Sequence, residues 1–182
     1  LFGQGKHSST LGTIGGAVGT YFGGPLGALA GSTLGSALGG IFGGSWETKD
    51  AGLNLGVSSG DITGNQYENQ RKSGGWFSSS KSRTRTSALN GELEAMLEDA
   101  YAAQEASLAV TLETLGQQSS ALNAFSSGLT RISTKGLDEA EVEQAVQEWL
   151  QNVVNSAAQS VTDPNQYARA GETTVDTLSR LA

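Results

Sequence analysis

Few side chains in this sequence could do chemistry, and their spacing suits little of it. The one histidine, His7, stands beside Ser8 and Ser9. A nucleophilic serine needs a base that is itself held by a third group, and three adjacent residues are poor evidence for such a relay. With no cysteine in the chain, disulfides and thiolate metal sites are excluded, and a single histidine makes no ligand cluster of recognised spacing. Glu92, Glu94, Glu98 and Asp99 read as the solvated face of a helix, not as an acid–base pair. The stretch GTIGGAVG has the glycines of a nucleotide loop. No strand precedes it and no Lys-Ser/Thr follows, so a P-loop is excluded. The expectation is a protein that is not an enzyme, with no cofactor and no bound metal. Lys81, Arg83 and Arg85 form the one alternating basic set. On a strand they share a face, either as a solvated edge that discourages strand pairing or as a contact for an acidic partner or lipid phosphate.

The elements that would carry these residues differ sharply in composition along the chain. Of 182 residues 37% are hydrophobic and 26 are glycine, so one large core is not expected and stability should lean on other chains. The net charge of −7 is unevenly placed. Residues 8–46 carry no charge, residues 47–87 hold four acids and six bases, and residues 88–182 hold fourteen acids and four bases. An acidic C-terminal part argues against a dedicated DNA-binding surface. The chain opens at Leu1, which reads as a piece or processed product of a longer protein.

Residues 1–45 are dominated by an apolar block with a four-residue period. Glycine recurs at Gly15, Gly19, Gly23, Gly27, Gly31, Gly35, Gly39 and Gly43. One place earlier runs a bulky ridge of Ile14, Val18, Phe22, Leu26, Leu34, Leu38 and Phe42, broken at Ala30. On a helix, residues four apart share a face, so a ridge lies beside a groove of nearly bare backbone. Such small-xxx-small grooves let helices approach closely in lipid. Four residues overshoot a helical turn by about 40°, so the stripe winds and must meet several neighbours or break. Pro25 marks a kink or hairpin. A glycine linker and stacked glycine-rich strands are the competing readings. Lys6 and Trp46 flank the block as charged and aromatic anchors flank a span.

Residues 46–87 read as a small antiparallel β unit. Leu53, Leu55 and Val57 alternate, Ser59-Gly60-Asp61 turns the chain, Ile62 to Gln70 returns, and Trp76 to Thr86 gives a third strand. Residues 88–182 read as acidic amphipathic helices. One stripe runs through Leu89, Leu93, Leu97, Tyr101, Leu108, Leu112 and Leu115. A second resumes at Leu122, Phe125, Leu129 and Ile132 and ends at Lys135-Gly136. Asp138 with Glu141 makes a capping box for the next helix. Such thin stripes predict packing against symmetry mates. The expected fold is therefore mainly α with a small β unit in the middle, elongated and trimeric, with glycine-zipper helices at its N-terminal end.

The order of glycine block, "SWETKDAGLNLGVSSGDITGNQYENQRKSGGWFSSSKSRTRTSAL" and acidic helices ending "QYARAGETTVDTLSRLA" resembles the C-terminal region of tape measure proteins of long-tailed, siphovirus-type bacteriophages. The likeness covers most of the chain, and "GGWFSSSKSRTR" is its most specific part. The resemblance implies a structural protein that sets tail length and lies in the tail lumen as a homotrimer, about three copies by symmetry, with its C-terminus at the tip. On infection such a protein leaves the tube for the host cell envelope and helps DNA cross it. The implied partners are distal tail and tail-tip hub proteins, the host inner membrane, and DNA only in transit. No catalytic residue carries over. A pore-forming toxin or bacteriocin-like protein is the alternative that shares the glycine block.

Overall fold

The computed structural model describes residues 46–74 and 79–182. His7 and all the glycine-column and ridge residues named above lie outside the described residues, as do Trp76 and Phe77. Four strands, β1 (Trp46–Ser58), β2 (Asp61–Lys72), β3 (Lys81–Ala88) and β4 (Thr130–Ser133), form one antiparallel sheet in the order β3-β2-β1-β4. Three α-helices, α1 (Gly91–Thr114), α2 (Glu139–Val161) and α3 (Thr174–Leu181), pack with it, joined by short 3-10 turns at Ser119–Ala124 and Asn165–Tyr167. The described chain is thus α+β. This corrects the mainly helical, elongated architecture expected from the apolar stripes.

Local chemistry explains each element. Ser59 and Gly60 both take positive φ, the backbone of a two-residue hairpin turn whose twist matches the strands it joins. Asn90 caps α1, its side chain accepting from the amides of Glu92 and Leu93. Asp138 and Glu141 close a capping box at the start of α2, and Thr173 and Asp176 close another at α3. Each cap satisfies amides that the first helical turn leaves without partners.

The sheet has one apolar face. Leu53, Leu55 and Val57 on β1 are fully buried there, with Ile62 across the hairpin. They join a single core with Leu93, Leu97, Leu108 and Leu112 of α1, Val146, Trp149, Leu150 and Val153 of α2, and Val175 and Leu178 of α3. Sheet and helices thus cover each other within one copy of the chain. The argument that trimerisation is needed to complete a core therefore falls.

The second correction concerns residues 122–132. The expected helical stripe is instead a 3-10 turn, an extended segment and β4. The spacing of Leu122, Phe125, Leu129 and Ile132 imitates a helix, but the open edge of β1 captures this segment. Ser127 Oγ accepts from the Val57 amide at 2.9 Å, Ser126 Oγ accepts from the Ser59 amide at 2.9 Å, and the Ser127 amide donates to the Val57 carbonyl. Ile132 then pairs with Leu53 and enters the core, while Leu129 is left 59% exposed, which a helical stripe would not do. Gly52 makes the close approach possible, since a Cβ there would run into the carbonyl oxygen of Ile132.

Truncating a core residue tests whether one copy holds itself together. Leu55→Ala, at a fully buried site, should cost about 2–5 kcal/mol in chemical denaturation. A loss within the error of that measurement would mean that the β1 face is not the centre of the core.

Candidate functional site

Among the described residues four groupings of polar side chains could constitute a site, and two of them are internally satisfied. On the sheet face away from the helices, Asp50 accepts from Ser133 Oγ at 2.6 Å, Tyr67 Oη at 3.1 Å and Arg131 at 3.0 Å. The Arg131 guanidinium lies 3.8 Å over the Tyr67 ring. Burial pushes the Asp50 carboxyl up, but the bonds from Ser133 and Tyr67 and the charge of Arg131 outweigh it and leave the group below its usual value. This is a clamp across β2, β1 and β4, with every member engaged.

A cavity of about 250 Å³ between the end of α2 and the start of α3 is lined by Asn155, Gln159, Glu172 and Thr174 among others. Its polar groups are also spoken for. Gln159 donates to Thr174 Oγ1, Asn155 accepts from the Val175 amide, and Glu172 pairs with Arg180 at 2.8 Å. The Arg180 bond and the Arg169 amide hold the Glu172 carboxyl down at about 2. The arrangement secures the C-terminal helix.

Glu105 and Tyr101 lie on α1. Burial raises both groups, with Asp61 adding to the effect on Glu105 and Glu105 adding to that on Tyr101, whose hydroxyl is pushed up to about 12. Glu105 Oε1 is buried and finds no hydrogen-bond partner among the described residues. Its electrostatic neighbours are Asp61 and Tyr101. Glu92, Glu94, Glu98 and Asp99 fall on the exposed and half-exposed side of α1. Among the described residues no group of three or more His, Asp or Glu could hold a metal ion.

The fourth grouping is the basic end of the sheet, where β1 begins, β2 ends and β3 begins. Trp46 pairs with Lys72 and Lys72 with Lys81, forming one row across three strands. The next residues on this face are Thr48, Gln70 and Arg83, then Glu68 opposite Arg85. Lys81, Arg83 and Arg85 therefore share a face, as their alternation requires, and it is the face whose other half carries Leu53, Leu55 and Val57. The helices bury only that other half. Lys72, Lys81 and Arg85 are exposed, and Trp46, Gln70 and Arg83 half-buried. Arg83 stacks 4.2 Å over the Trp46 ring and donates to Gln70 Oε1 at 2.7 Å. Lys135 reaches back to the Thr48 and Lys49 carbonyls, and Glu47 is occupied by Lys49 at 2.6 Å. Lys72 and Lys81 make no ion pair among the described residues.

Sequence reasoning found Lys81, Arg83 and Arg85 but not Trp46 and Lys72 as their neighbours. The signal was there: Lys72 and Lys81 bracket the β2–β3 connection, and extending the return strand two residues beyond Gln70 would have set them opposite each other. No protein-family model, curated protein or solved structure matches the chain.

Two carboxyls give opposite pH signatures. Glu105 titrates higher folded than unfolded, so its ionisation opposes folding; the cost is absent well below its ordinary 4.5 and grows as pH rises through the folded value. Glu105→Gln should raise the denaturation midpoint at pH 7, with the gain vanishing in acid. Glu172 titrates lower folded, so its stabilisation is present above 4.5 and is lost as pH falls toward 2. Glu172→Gln should lower the midpoint at pH 7 and flatten that acid limb. A stability–pH curve that neither variant alters would contradict both assignments.

Proposed function

We propose that the chain is a structural component of a phage tail tip, the C-terminal region of a tape measure protein, in which a glycine-periodic segment is joined to an independently cored domain. The observation that carries this reading is that the α+β domain buries its own apolar face within one copy. The domain then makes no demand on the block for its stability. Residues 11–44, charge-free and periodic, are left to pack with other chains in the tail and to enter lipid on release. The satisfied polar clusters support a structural role over a catalytic one. Self-association belongs to the block in this reading, with three copies following from the resemblance to tape measure proteins.

Among the described residues no helix is long and apolar enough to cross a membrane. The membrane half of the proposal therefore rests on the block. Isolated glycine-rich helices are marginal, since each glycine costs about 1 kcal/mol against alanine. A bundle of such helices packed through their grooves offsets that cost.

In this reading, replacing Gly27, Gly31 and Gly35 together with leucine fills the groove and changes no residue of the α+β domain. The domain should keep its denaturation midpoint while tail assembly or DNA ejection fails. Unchanged infectivity would reduce the block to a linker. Purified chain that kills cells with no virion present would favour the toxin reading instead.

A further inference from the structure

We propose that the basic end of the sheet, centred on Lys72, Lys81 and Arg83 beside Trp46, is a docking surface for the headgroups of an anionic phospholipid membrane. The proposal rests on the membrane half of the function above and gives it a lipid preference and an orientation.

The first argument is a local cost. Lys72 and Lys81 are direct cross-strand partners, which brings their Cβ atoms to about 4.5–5.5 Å, and like charges so placed destabilise a sheet. The third member of the row is Trp46, and no carboxylate stands in it. The next position on the face sets Arg83 opposite Gln70, and the one carboxylate that reaches that row, Glu68, accepts from Thr48. An antiparallel sheet that sets opposite charges against each other at Glu68 and Arg85 leaves Lys72 and Lys81 without an ion pair among the described residues. A phosphate in this place would remove the repulsion.

The second argument is the charge distribution. All six bases of residues 47–87 lie at or near this end with three acids, Glu47, Asp50 and Glu68, which leaves it net positive, while residues 88–182 hold fourteen acids and four bases. Of the four bases in that acidic part, Arg131 and Arg180 are paired with Asp50 and Glu172, and Lys135 is itself folded back onto the start of β1. The domain is a dipole. A negatively charged plane attracts its basic end and repels its helices, so docking has one orientation.

The third argument is position. The charge-free block ends two residues before Trp46, on which Arg83 is stacked. Indole rings favour the headgroup level of a bilayer, and this one carries a guanidinium against its face. When the block is in lipid, the cations are held at the phosphate plane by the same chain. Duplex DNA is not tethered in this way, and a protein of net charge −7 with so few exposed cations is poorly made for it.

The test uses the full chain and vesicles of phosphatidylcholine with or without phosphatidylglycerol. Co-flotation should be stronger on the anionic vesicles and should lose that preference in raised salt. A lysine near an anionic surface contributes a factor of roughly five, so Lys72→Gln with Lys81→Gln should cost the preference about 25-fold. Binding to neutral vesicles should be unchanged. The double variant should be no less stable than the parent, and Lys72→Arg with Lys81→Arg should keep the preference. Equal binding to both vesicles, or a preference that survives the glutamine variant, overturns the proposal. So does tighter lysine-dependent binding to duplex DNA or to an acidic peptide. Dye release from neutral vesicles reads block insertion separately. Leakage without a lipid preference defeats only this proposal, and a preference without leakage defeats only insertion.

Discussion

The structure depends on covering one surface, the row of Leu53, Leu55 and Val57 on β1, each 0% exposed. An antiparallel sheet can leave one face to water only if the other is covered, and here α1 and α2 supply the cover, with α3 packed against them. β4 serves the same end from the side. Residues 126–133 close the open edge of β1 and deliver Ile132 beside Leu53. Each kilocalorie-scale contribution from the caps at Asn90 and Asp138 matters because it holds a helix in place over that row.

The cover extends over only half of the face. Beyond Ala51 the same side of the sheet turns polar and basic, with Thr48, Gln70, Lys72, Lys81 and Arg83 replacing aliphatic residues. A change in what one face must contact therefore occurs within a single strand, from core at Leu53 to aromatic–cation stacking at Trp46. The chain end that leads to the glycine block and the basic pole are brought together by this topology. β1 runs away from the block into the core, and the hairpin that follows returns Lys72 to the start.

Much of the local structure could be read in the sequence because it is set by neighbouring residues. The alternation at Leu53, Leu55 and Val57, the turn at Ser59-Gly60 and the capping box from Asp138 to Glu141 each need only a few residues to specify them. What could not be read was set over distance. Ser127 meets Val57 across 70 positions, and nothing near Leu122, Phe125 and Leu129 distinguishes their spacing from a helix. The low apolar content also misled. Glycine is concentrated in the block, so the average understated how well the remaining residues fill one core. The basic set at Lys81, Arg83 and Arg85 was visible from alternation alone, whereas its neighbours Trp46 and Lys72 required the strand register.

The central claim is that sheet and helices form one cooperative unit within a single copy of the chain. Native-state hydrogen exchange on the full chain measures this most directly. The slowest amides of β1, α1 and α2 should exchange through one common opening, with a free energy independent of protein concentration. Sheet amides opening at lower free energy than the helices, or protection that appears only as concentration rises, would contradict the claim.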